Sequence, residues 1–184
     1  PDTGMAGASR SLYMDGNATI IAANKLLAAM RKEDGTLRTY DEMKAEGIET
    51  KYLGRYETNT TPGLCRLDPN TGIGDPTPAF TYCLNLAEVE VDTKTGKTTV
   101  LKFTCVDFVG RIGNIDAVNG QAYSGIMHGI GFALKEDYAD VKKHANMFGA
   151  GTSYIKDVPD DINLIHIDGA ISDGPFGSSG ASEA

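Results

Sequence analysis

The chain has 184 residues, 41% of them apolar and 23% charged, and carries a formal net charge of −8. That length supports one domain with a real core or two small lobes, and the composition is that of an ordinary globular protein. The acidity argues against a nucleic-acid or anionic-membrane surface, and no apolar run reaches bilayer length, so neither partner is expected.

Three cysteines, Cys65, Cys83 and Cys105, occur with no Cys-x-x-Cys. This sparse, odd count fits a reducing compartment, and a cytoplasmic location is expected. The spacings assemble neither an iron–sulfur cluster nor a zinc knuckle. His128, His144 and His166 are scattered, and no metal held by side chains of this chain is expected. The first residue is Pro1 and the chain stops inside a motif, which leads to the expectation of a piece of a longer protein.

Residues Gly4, Met5, Ala6, Gly7, Ala8, Ser9 and Arg10 form a small-residue loop ahead of a helix. Free N–H groups at a helix N-terminus suit phosphate. Ser9 adds a hydroxyl and Arg10 a charge-assisted fork. The same residues also suit a plain loop with Ser9 or Ser11 as the cap. The spacing of a P-loop is absent. The helix is predicted from about Leu12 to Arg31, with Ile20, Ala23, Leu27 and Met30 on one face and Gly35 as its stop. Lys25, Arg31 and Lys32 gather late, where the helix dipole favours cations.

Thr39-Tyr40-Asp41-Glu42 is a capping-box pattern for a short helix through Ala45, ended by Gly47. Lys51 to Tyr56 reads as a short strand, and Thr58 to Pro78 as an irregular connection. Gly72-Ile73-Gly74 lacks the strand before and helix after that a dinucleotide fingerprint needs. Ala79 to Val91 and Thr98 to Val109 are predicted strands joined by a hairpin turn at Asp92–Lys97. Alternation at Glu88–Asp92 gives that end one wet face. Leu84 and Leu86 on one parity, with Ala87 and Val89 on the other, predict burial on both sides further in. If the turn is tight, Cys83 and Cys105 fall nearly opposite each other, and packed, reduced thiols are expected, with an accidental cross-strand bond as the alternative.

Asn119 to Tyr138 is predicted helical, with Ile126, Ile130 and Leu134 apolar and Gly125, Gly129 and Ala133 forming a flat strip. Each interior glycine costs roughly 1 kcal/mol against alanine, so their number implies close packing. Gln121 is a polar candidate there. Asp140 to Lys143 reads as a solvated charge cluster, and Thr152–Lys156 and Ile162–Ile167 as short strands. Phe148-Gly149-Ala150-Gly151 lacks the context of a phosphate fingerprint.

The tail, Gly174-Pro175-Phe176-Gly177-Ser178-Ser179-Gly180-Ala181-Ser182-Glu183, packs small residues around one carboxylate. Small side chains let backbone approach a ligand, and exposed peptide N–H groups can cradle an anion. Glu183 is then a candidate base. A polar linker has the same composition.

This tail resembles the glutamate loop of the molybdenum hydroxylase (xanthine oxidase) family. The likeness is greatest to the bacterial aldehyde oxidoreductases with a molybdopterin cytosine dinucleotide. Their pattern is Gly-Pro-Phe-Gly, two small residues, then Gly-x-Gly-Glu, and the chain departs from it at Ser182 alone. The Gly4–Arg10 loop, Thr39–Ala45, Gly120-Gln121 and Gly129–Glu136 are similar to phrases of the same family, in the same order. The resemblance implies an α+β fold, with residues 1–184 a C-terminal part of the molybdopterin-binding domain and sub-lobes at 1–75 and 76–184. It implies Glu183 as base, Gly180, Ala181 and Ser182 presenting backbone N–H groups to the metal centre and pterin, and Gly4 through Arg10 against the dinucleotide.

The implied activity is oxidation of aldehydes to carboxylic acids with water as oxygen source, electrons passing to iron–sulfur clusters elsewhere in the parent. Implied partners are an aldehyde, the rest of the parent polypeptide or an iron–sulfur subunit, and a second copy in a homodimer. The isolated piece is expected to hold little or no cofactor and to be inactive alone. Hydroxylation of N-heterocycles, or a catalytically silent scaffold lobe, are the alternatives.

Overall fold

The computed structural model describes residues 7, 9, 11–57, 68–74, 79–171 and 173–181. They divide into two compact units, Pro1–Phe80 with Ser172–Ser179, and Thr81–Ile171 with Gly180–Ala184.

In the first unit a π-helical turn, Ser11–Asp15, leads into helix α1, Gly16–Met30. The helix ends close to the predicted Arg31, although Gly35 is not its cap. Arg31 is already extended and bridges Leu37, while Gly35, at φ +84°, makes the tight turn between them. No residue of α1 is fully buried, although Tyr13, in the turn before it, is, and it meets Tyr56 edge-on at 6.0 Å.

Helix α2, Tyr40–Ala45, carries the capping box read from sequence. Thr39 Oγ1 accepts from the Glu42 N–H at 3.2 Å, and Glu42 Oε2 accepts from the Thr39 N–H at 2.7 Å. Gly47 follows at φ +70°. Met43 is its buried anchor, at 1% exposure. Lys32 and Arg38 reach Glu42 and Glu46 at 2.8 and 2.7 Å and tie α2 to the chain leaving α1.

Residues 51–56 are not the expected strand. They run as extended coil along α1, where Lys25 Nζ donates to the Leu53 carbonyl at 2.8 Å. A Cβ at Gly54 would stand 1.9 Å from the Ala18 carbonyl oxygen. Contact with helix backbone, not strand pairing, decides this segment. Within 68–74, Asp68 caps a turn through the N–H groups of Asn70 and Thr71, and Gly72 sits at φ +67°.

The second unit is built on a mixed sheet of order β1-β2-β3, with β1 Tyr82–Val91, β2 Thr98–Phe108 and β3 Asp161–His166. The β1–β2 hairpin is antiparallel and turns at Gly96, φ +74°, with a register shift at Glu88/Val89. β3 pairs parallel to β2. Helix α3, Ile115–Leu134, begins four residues before the predicted start, because Asn114 caps it through the Ala117 N–H.

Ile126 and Ile130 of α3 form the core with Cys105, against Val100, Phe103, Ile162 and Leu164. The opposite sheet face carries the exposed side chains of Tyr82, Leu84, Leu86 and Ile165, so burial on both sides of β1 is not found. The glycine strip also divides. Gly125 is buried and Gly129 faces open space. The close approach is at Gly131, where a Cβ would meet the Ser153 hydroxyl at 2.8 Å. Residues 152–156 lead into a 3₁₀ turn, Ile155–Asp157, instead of a strand. A short helix, α4, Met147–Ala150, ends on left-handed Gly151.

Candidate functional site

The tail is shaped by a turn that a bulky residue seldom adopts. Phe176 lies at φ +54° and Gly177 at φ +89°. A residue held in that left-handed region costs on the order of 1–3 kcal/mol, so its surroundings must fix it. Two hydrogen bonds do so, from the Gly177 N–H to the Gly174 carbonyl at 2.9 Å and from the Ser178 N–H to the Pro175 carbonyl at 3.1 Å. Pro175 is buried against α1. A Cβ at Gly16 would meet the Pro175 ring at 2.9 Å, and Asn17 Nδ2 donates to the Asp173 carbonyl at 2.9 Å.

Beyond the turn, Ser178 and Ser179 are buried. Among the described residues the Ser179 hydroxyl is buried with no hydrogen-bond partner, as are those of Tyr56 and Ser153. A buried hydroxyl without a partner costs about 1–3 kcal/mol and asks what group would complete it. Gly180, in the second unit, is buried too, and its carbonyl accepts from the Thr81 hydroxyl at 3.1 Å. Ala181 is half-buried.

Glu183 and Ser182 lie outside the described residues, as do Gly4, Met5, Ala6, Ala8 and Arg10. Gly7 is exposed, and a Cβ there would touch nothing within 4 Å. Ser9 is half-buried at φ +56°, and its carbonyl accepts from the Tyr13 N–H at 3.2 Å to start the π-helical turn. Gln121 is on the exposed side of α3, next to Gly120, which also faces open space. Among the described residues no group of three or more His, Cys, Asp or Glu is placed to hold a metal ion.

Sequence reasoning passed over Ser179, although it stands in the motif between Gly177 and Gly180. It also passed over a buried cluster in the second unit. His166 Nδ1 is 2.5 Å from Asp107 Oδ1, and His166 Nε2 is 2.7 Å from Asn119 Oδ1. The available signal was strand parity, since Asp107 shares its sheet face with Cys105 and Phe103 of the core.

Small residues, close backbone contacts and a buried hydroxyl without a partner are what a cofactor-holding domain would need. Residues 1–159 match the family model described as the molybdopterin cofactor-binding domain, and the chain belongs to that family. It is 42% identical over 183 residues to the aldehyde oxidoreductase of Megalodesulfovibrio gigas, a match that includes the tail beyond residue 159. The crystal structure of the aldehyde oxidoreductase from Desulfovibrio desulfuricans ATCC 27774 matches all of this chain at 43% identity and a TM-score of 0.90. The xanthine dehydrogenase of Dictyostelium discoideum is 26% identical over 174 residues, 89% of this chain and 13% of that protein. The chain spans 20% of the length of each aldehyde oxidoreductase. The expected α+β architecture is found, and among the described residues it takes the form of helices with a three-stranded mixed sheet.

The tail fits the group this family holds. A pterin with its phosphates is rich in hydrogen-bond acceptors, and Ser179 offers a buried hydroxyl with no other partner.

Proposed function

We propose that this chain is the part of a molybdenum hydroxylase that holds the pterin and supplies the catalytic base, in a parent enzyme that oxidises aldehydes to carboxylic acids. The unpartnered Ser179 hydroxyl inside the family's tail motif is the observation that carries this reading. The bound molybdenum cofactor supplies the two-electron chemistry that moves an oxygen from water to the aldehyde carbon. The Ser179 hydroxyl donates to the cofactor, and the small residues Gly180 and Ala181 let backbone approach it. The left-handed turn at Phe176 and Gly177 follows Pro175, which is seated on Gly16. Glu183 accepts the proton released by the water whose oxygen enters the product.

The cofactor is proposed in its cytosine dinucleotide form, with residues 4–10 toward the dinucleotide, Gln121 as a further polar contact, and electrons leaving to iron–sulfur clusters carried elsewhere in the parent. The remaining polypeptide, or a separate iron–sulfur subunit, is then the obligate partner. A homodimer and a cytoplasmic site of action belong to the same proposal.

The test is Glu183→Gln in the full-length protein, expressed in a host that makes the cofactor. Turnover of aldehydes should fall by about 10²–10⁴-fold with molybdenum content unchanged. Full turnover in that variant would reject the base. Ser182, standing where the family pattern has glycine, favours a second reading as a silent scaffold lobe. Absence of molybdenum from the purified full-length protein would decide for it. Turnover of N-heterocycles but not aldehydes would move the substrate class instead.

A further inference from the structure

Cys83 on β1 and Cys105 on β2 are diagonal neighbours on one face of the sheet. The register pairs Cys83 with Asp107 and Asn85 with Cys105, which sets the two thiols two positions apart and on the same side. Their sulfurs are 3.6 Å apart, and either one can donate to the other. Cys83 is exposed, and its sulfur also lies 3.6 Å from Asn85 Oδ1. Cys105 is 5% exposed, beneath Ile126 and Ile130 of α3. The pair thus has one sulfur open to solvent and one enclosed, already in contact.

Burial above all, then the hydrogen bond from Cys83, pushes the Cys105 thiol up to about 12. The enclosed sulfur is therefore a thiol at neutral pH and does not react first. Reaction with a small oxidant falls to the sulfur that solvent reaches.

We propose that Cys83 and Cys105 form a peroxide-responsive dithiol that closes to a reversible cross-strand disulfide. In the first step the Cys83 thiolate attacks hydrogen peroxide. The O–O bond breaks, Cys83 becomes a sulfenic acid, and the departing hydroxide leaves as water after taking up a proton. In the second step the Cys105 sulfur bonds to the Cys83 sulfur, the S–O bond breaks, and the departing oxygen leaves as water with the Cys105 proton. Two thiols give up two electrons and two protons, and the peroxide is reduced to two waters. The sulfurs have to close from 3.6 Å to the covalent distance of about 2 Å, which for diagonal positions also draws the two strands locally together. A bond with one sulfur at the surface stays open to reduction by small thiols.

The test is peroxide titration of the reduced chain, followed by alkylation, intact mass and peptide mapping. The expected product is about 2 Da lighter than the reduced chain, lacks two of its alkylatable thiols, links the Cys83 and Cys105 peptides, and reverts with dithiothreitol. A Cys65→Ser variant should behave in the same way. Cys83→Ser should abolish the lighter species, and so should Cys105→Ala, which keeps an apolar side chain in the core. In Cys105→Ala a dimedone-trappable sulfenic acid should accumulate on Cys83. The proposal fails if the unaltered chain instead gains about 16 or 32 Da at Cys83 and keeps the Cys105 thiol. It fails equally if the bond formed joins Cys65 or a second copy of the chain.

Discussion

His166 on β3 and Asp107 on β2 are directly paired in the parallel register, and their side chains also meet, with Nδ1 2.5 Å from Oδ1. The carboxylate is 3% exposed and the imidazole side chain 9%. Asn119 of α3 closes the far side of the ring, so one cluster joins the sheet to the helix that covers it. Removing the buried carboxylate leaves the imidazole without its charged hydrogen-bond partner, at about 1.5–3 kcal/mol. Asp107→Ala should lose that much in urea unfolding. Asn119→Ala, which removes a neutral partner, should lose about 1–3 kcal/mol. Equal and small losses from both would show that the cluster is hydrated and not structural.

Gly54→Ala should destabilise the first unit by roughly 1–3 kcal/mol through overpacking, read as a lower melting temperature. The added carbon would sit 1.9 Å from the Ala18 carbonyl oxygen and 2.9 Å from the Ala22 nitrogen, both helix backbone that cannot rotate aside. Gly7→Ala makes the matched control, because nothing lies within 4 Å of its Cβ position.

The α2 cap predicts a dependence on acid. Thr39→Ala should cost about 1 kcal/mol. Glu42 is held at about 2, below its ordinary 4.5, first by the hydrogen bond from Lys32 and then by the Thr39 N–H. A carboxylate depressed on folding stabilises fully above its free value and loses that contribution as pH falls through the depressed one. The melting difference between the native chain and Glu42→Gln should therefore be constant above about pH 4.5 and shrink toward about pH 2. A difference that persisted below pH 2 would remove the ion pair from the explanation.

Ser179→Ala separates holding a cofactor from holding a fold. In the chain alone, deleting a buried hydroxyl with no partner should be neutral or stabilising by up to about 1 kcal/mol. In the full-length protein the same change should lower retained molybdenum. Loss of stability in the isolated chain would mean that the hydroxyl is already satisfied there.

The elements legible in the sequence are those whose signals are local. The Thr39 capping box, the Asp92–Gly96 turn and the short strand of β3 each state their own geometry within a few residues. The extended stretch at 51–56 carried strand-like residues, but its partner is a helix backbone that only the tertiary fold brings to Gly54. Burial of β1 was over-read from residue type, because alternation cannot say whether a face has a neighbour to cover it. The tail was recognisable by its family motif, yet Ser179 differs from Ser178 only in lacking a partner, a property of packing that no spacing encodes.

The central place of β2 has one more effect. It lends its amides and carbonyls to β1 on one edge and to β3 on the other, so neither neighbour can detach without β2 keeping half of its bonds. Deuterium should accordingly enter the backbone from Phe103 to Val106 last of all in this unit, long after the outer margin of β1 has equilibrated with the solvent.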